Sequence, residues 1–95
     1  MGAEPLLAER LVLDEWSFVE MVVWRLTQPN EGCRHDRKYR LAYVVKGVCV
    51  VRHDTEAGKG DYRHIGGRES PYRFRSLEIL QADFWLDVVQ GEVSK

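Results

Sequence analysis

Between Arg52 and Arg68 the chain gathers the side chains that proton transfer and phosphate binding require. His64 is the best acid or base, because imidazole titrates near neutral pH. Arg52, Lys59, Arg63 and Arg68 are candidate phosphate cations, and an Arg can hold a phosphate with two parallel N–H bonds. Tyr62 can stack a base or donate a proton. Asp54 can orient His64 or pair with Arg52. Cleaving RNA without a metal needs these parts: a base for the ribose 2′-OH, an acid for the leaving 5′ oxygen, and cations on the phosphate.

Other chemistries fit less well. Gly58-Lys59-Gly60 lacks the spacing of a phosphate-binding P-loop, and Asp61 follows it. Asp54, Asp61 and His64 with His53 match no recognised metal-ligand spacing, so no metal and no cofactor are expected. Cys33 and Cys49 form neither a CxxC pair nor a disulfide framework. Cys49, in mid-strand, reads as a small buried hydrophobe. Trp16, Trp24 and Trp85 read as core or partner-interface aromatics.

The elements that must position these residues follow from periodicity. Residues 6–13 and 16–27 read as strands joined at Asp14-Glu15, the second apolar on both parities and so covered on much of both faces. Strands over 37–45 and 48–54 join at Lys46-Gly47, a hairpin signal. An unbroken register pairs Tyr43 with Val50 and Leu41 with Arg52. It places Arg52 and Asp54 on the face of Tyr43, and His53 on the other. Residues 55–75, rich in Gly, read as a long loop. Ser76 is an N-cap signal, and Leu77, Leu80, Phe84 and Val88 recur at helical steps, so 76–90 reads as an amphipathic helix stopped by Gly91. The expected fold is one α+β domain: an antiparallel meander of about four strands with a C-terminal helix packed on the sheet.

The 95 residues are 44% hydrophobic and 31% charged, with a net charge of −1. That near-balance argues against a polyanion partner until it is divided by segment. Residues 1–30 carry net −3, residues 31–75 net +5, and residues 76–95 net −3. The basic segment holds all three His and all four Tyr. Cations interleaved with aromatics suit RNA, whose phosphates and bases they can hold and stack. No apolar run is long enough to span a membrane, and no secretory pattern is present, so a cytoplasmic protein is expected.

The string RHDTEAGKGDYRHIGGRESPYRF (52–74), with Tyr39-Arg40-Leu41-Ala42-Tyr43-Val44 before it and Ala82-Asp83-Phe84-Trp85 after it, resembles the TumE family. These are small toxin components of bacterial and archaeal toxin–antitoxin modules. The resemblance runs from about Glu9 to Val89. It implies a cognate antitoxin, encoded in an adjacent gene and carrying a helix-turn-helix domain; a homodimer is compatible with it. It adds Arg40 and Tyr43, on the Tyr/Arg-rich strand, to the nucleic-acid-binding set. Three positions depart from the family pattern. His53 stands where Tyr is usual, Thr55 where Asn is usual, and Tyr62 where the first His of a His-Arg-His triplet is usual. If two His share the acid and base work, this chain has lost one, and His53 is the candidate to compensate. The leading expectation is a metal-independent endoribonuclease toxin. The alternatives are a non-enzymatic module that binds nucleic acid or protein, and an inactive member of the family.

Overall fold

A computed structural model describes residues 3–27, 35–56 and 60–93. Six strands form one sheet: β1 (Ala3–Asp14), β2 (Ser17–Leu26), β3 (Arg37–Val45), β4 (Val48–Glu56), β5 (Gly60–Ile65) and β6 (Arg68–Pro71). Each pairs antiparallel with the next, so spatial order equals chain order. A single helix, α1 (Leu77–Val93), follows and packs most directly on β4.

The meander and the helix agree with expectation; the strand count does not. Residues 55–75, expected as a loop, hold β5 and β6. Gly66 and Gly67, with φ of +56° and +85°, make the two-residue turn that joins them. Lys46 (φ +50°) and Gly47 (φ +79°) do the same between β3 and β4. β5 escaped notice because its sequence, GDYRHI, is polar on both parities and carries no apolar alternation. At the β1–β2 turn, Asp14 Oδ1 accepts the Trp16 N–H at 2.8 Å and the Ser17 hydroxyl at 2.9 Å, an Asx-type closure. Ser76 caps α1 as expected, its Oγ accepting the Ile79 N–H at 3.1 Å. The helix continues through Gly91 to Val93, since one Gly costs a helix only about 1 kcal/mol.

One register break decides everything downstream. Val44 pairs with Cys49, but Tyr43 pairs with Val51, leaving Val50 as an extra residue in β4. Its carbonyl accepts the Gly66 N–H at 2.9 Å. Beyond this bulge Leu41 opposes His53 and Ala42 opposes Arg52. The unbroken register expected from the hairpin is therefore wrong past Val50. A one-residue slip exchanges the two faces of a strand. It sends His53 under the helix and brings Arg52 and Asp54 to the open side.

The core lies on the helix side: Val19, Met21 and Val23 from β2, Tyr39, Leu41 and Tyr43 from β3, Val51 from β4, and Leu80, Phe84 and Val88 from α1. Full burial of such side chains stabilises by about 1.5–3 kcal/mol each. The other face has no covering element among the described residues. β2 is accordingly buried on one parity only, with Phe18 and Val22 half-buried and Trp24 exposed on the other. Trp85 packs against the core, while Trp16 is 60% exposed. Cys49, expected to be buried, is exposed.

Candidate functional site

The open face of the sheet gathers a compact polar cluster from β4, β5 and β6. Cross-strand partners on one face are Arg52 with His64, Asp54 with Tyr62, and His64 with Glu69. Arg40 of β3 opposes Asp54. The Arg52 guanidinium lies with Nη2 3.1 Å from His64 Nε2 and Nε 3.3 Å from Asp54 Oδ2. Three carboxylate oxygens, from Asp54, Glu56 and Glu69, each stand 3.7 Å from the same His64 Nε2. Beside the cluster is a shallow hollow of about 140 Å³, lined in part by Val22, Trp24, Lys38, Arg40 and Asp54.

A guanidinium has donors and no acceptor. In the Arg52–His64 contact, Arg52 donates and His64 Nε2 accepts, so in this arrangement Nε2 carries no proton and its lone pair is engaged by Arg52. Displacing Arg52 from Nε2 would leave the form a general base needs. Burial holds the Asp54 carboxyl above its ordinary range, with Arg52, His64 and Arg40 pulling the other way and Glu56 adding to the rise.

The expected site residues divide between the two faces. His64, Asp54, Arg52, Tyr62 and Arg40 come together on the open one. Arg63 projects to the helix side, with Nη1 3.6 Å from Asp87. Arg68 is exposed, but as the partner of Ile65 it shares Arg63's side. Tyr43, expected to meet nucleic acid, is 0% exposed in the core and out of reach of any ligand there. Lys59 lies outside the described residues. Glu56 and Glu69 were missed. Glu56 was within reach of parity, two residues beyond Asp54 on the same strand. Glu69 becomes visible only when Gly66-Gly67 is recognised as a hairpin turn. Asp54, Glu56 and His64 also form a group that could hold a metal ion, their ligand atoms all within 4.8 Å of one another.

The other two histidines are held elsewhere. His53 is 0% exposed, its Nε2 2.8 Å from Asp87 Oδ2, and its ring meets Tyr72 and Phe84 edge-on at 4.8 and 5.8 Å. Burial pushes its pKa below the ordinary value, against the pull of Asp87. The Tyr72 hydroxyl donates to Asp83 Oδ2 at 2.6 Å, and Arg75 donates to the same oxygen at 3.0 Å. Burial, with Asp83, raises the Tyr72 phenol to about 12. His53 thus clamps α1 to the sheet and cannot replace an imidazole at position 62. His35 Nδ1 accepts the Arg37 N–H at 3.0 Å, so its Nε2 donates to Asp61 Oδ2 at 2.7 Å; Tyr39 donates to the same oxygen at 2.6 Å. Both ring nitrogens are used, and Phe74 packs on the ring at 4.3 Å. His64 is the imidazole left with chemistry to do.

A family model described as toxin TumE matches residues 4–92. No curated protein and no solved structure matches the chain. No helix among the described residues is long and apolar enough to cross a membrane.

Proposed function

The chain belongs to the TumE toxin family, and from that premise we propose that it acts on RNA as a metal-independent endoribonuclease. A toxin family implies an antitoxin partner; the reading here is an antitoxin with a helix-turn-helix domain, encoded in the adjacent gene and meeting the toxin in the cytoplasm. The observation that carries the proposal is His64 on the open sheet face, its Nε2 3.1 Å from the Arg52 guanidinium and 3.7 Å from three carboxylate oxygens. In this reading His64 takes the proton of the ribose 2′-OH as that oxygen attacks phosphorus. Asp54, Glu56 and Glu69 stabilise the imidazolium that forms. Arg52 and Arg40 hold the phosphate, with Lys59 from the β4–β5 connection. The P–O5′ bond breaks, and Tyr62 or the imidazolium supplies the proton to the leaving oxygen. The products are a 2′,3′-cyclic phosphate and a 5′-hydroxyl.

The test is expression without antitoxin, together with incubation of purified protein with total RNA in EDTA. Wild type is expected to arrest growth and produce fragments, and His64→Ala to do neither. Arrest by His64→Ala as severe as wild type removes the mechanism.

A second reading has its own support. The open face sets Arg10 4.0 Å over the Phe18 ring and places Trp24 beside Lys38 and Arg40, an arrangement that can stack bases without cutting them. A salt-sensitive mobility shift with no fragments would favour this binding module. Toxicity gained only on Tyr62→His would favour an inactive member that has lost its second imidazole.

A further inference from the structure

The chemistry of the His64 cluster extends beyond proton transfer. We infer that Asp54, Glu56 and His64, with Glu69 as a fourth ligand, form a binding site for one divalent transition cation of the zinc type. The ligands are one imidazole nitrogen and three carboxylate oxygens, a set that suits a borderline divalent ion. Ligands bound at about 2.0–2.1 Å around a tetrahedral ion lie about 3.4 Å from one another. Each carboxylate oxygen stands 3.7 Å from His64 Nε2, and the ligand atoms of Asp54, Glu56 and His64 all lie within 4.8 Å of one another, so these three close on an ion by side-chain rotation and Glu69 swings in from β6 to complete the shell. The ligands sit on three hydrogen-bonded strands, which holds their backbones in register and their side chains on one face.

An independent observation points the same way. Asp54 Oδ1 is buried and has no hydrogen-bond partner. It is the oxygen aimed at His64 Nε2, while Oδ2 is taken by Arg52. A buried carboxylate oxygen left unpaired carries a cost that a cation removes. On binding, the ion takes the Nε2 lone pair from Arg52, and Arg52 keeps Asp54 Oδ2 as an outer partner that orients the ligand. The binding stands on this geometry alone. Its consequence rests on the ribonuclease reading: an ion on Nε2 removes the base, so the cation switches the toxin off.

The test is calorimetric titration of the full chain with Zn²⁺, in a Cys33→Ser, Cys49→Ser background that removes thiol ligands. One equivalent is expected to bind. Glu56→Gln and Glu69→Gln should each weaken it by at least about tenfold, and Glu9→Gln on β1 should not. Amide spectra of each variant establish that it is folded. Absence of stoichiometric binding, or equal affinity in wild type and Glu56→Gln, overturns the site. RNA cleavage is then measured with and without Zn²⁺. Inhibition in wild type, with a higher zinc concentration needed for half-inhibition of Glu56→Gln measured against that variant's own zinc-free rate, supports the switch. Zinc binding with unchanged cleavage overturns the switch and leaves the site; a protein that binds zinc and never cleaves RNA defeats the ribonuclease reading alone.

Discussion

His53 and His64 occupy neighbouring strands one register step apart and face opposite ways. His53 lies under α1, 0% exposed and bonded to Asp87. The His64 side chain is 23% exposed on the open face, with Arg52 at its Nε2 and three carboxylates around it. The residue type is the same, and burial and partners separate the roles. Under the helix, desolvation keeps the ring neutral and its hydrogen bond joins two elements. On the open face, the same ring is partly exposed and meets a guanidinium and three carboxylates instead of a helix. A histidine's chemistry therefore follows from its face and not from its presence in a motif.

The sharpest way to break this comparison is to remove one partner from each face. Asp87→Ala leaves His53 and Arg63 without their acceptor under the helix and is expected to cost about 3 kcal/mol. At about 4–8 °C per kcal/mol for a domain of this size, the melting temperature should fall by more than 10 °C. His64→Ala should change stability by less than about 1 kcal/mol, because the site is partly solvated. It should nevertheless abolish growth arrest. Thermal melts of both variants decide it: the reverse order of stabilities would show that the two faces have been misassigned.

Acidification from pH 7 to pH 5 probes His53 on the buried face. His53 has its folded pKa pushed below the ordinary 6.5 by burial, so the unfolded chain binds that proton more tightly. Its contribution to stability is full above about pH 6.5 and is lost as pH falls toward the folded value. Asp54 has the opposite sign, its folded pKa being raised, and acts in a more acidic window near and above 3.8. Melting temperature should therefore decline between pH 7 and pH 5. His53→Gln, which keeps a donor for Asp87 without titrating, should flatten that slope; an unchanged slope would place its cause elsewhere.

The smallest expected effect concerns the cations. Arg40 lies on the open face and Arg63 on the helix side. Arg40→Ala should weaken RNA retention in a low-salt mobility shift by a few-fold, as loss of one phosphate contact does. Arg63→Ala should leave it unchanged and lower stability by no more than about 1 kcal/mol, since its ion pair with Asp87 is partly exposed. Equal losses of RNA retention would mean that RNA contacts both sides of the sheet.

Much of the scaffold was legible in local signals. Ser76 and the Leu77, Leu80, Phe84, Val88 spacing marked α1, and Lys46-Gly47 marked its hairpin, because caps and tight turns depend on a few adjacent residues. Gly66-Gly67 carried a turn signal of the same kind, but the polar strands on either side of it gave no alternation to support the reading. Cys49 and Tyr43 were misjudged because exposure on a strand depends on what packs against it. His64, Asp54 and Arg52 were visible as a set of suitable types, and the family motif drew attention to them.

The sequence by itself determined the inventory: the family, the meander with its terminal helix, and a basic, aromatic middle between two acidic ends. The tertiary structure decided which of those residues meet. The extra residue Val50 exchanges the faces of β4 beyond it, and no period-2 pattern reveals that, because Arg52-His53-Asp54 is polar at every position. Glu69 joins His64 only through a strand pairing made across a turn. Side-chain direction in a sheet is a property of register, and register is set between strands and not within one.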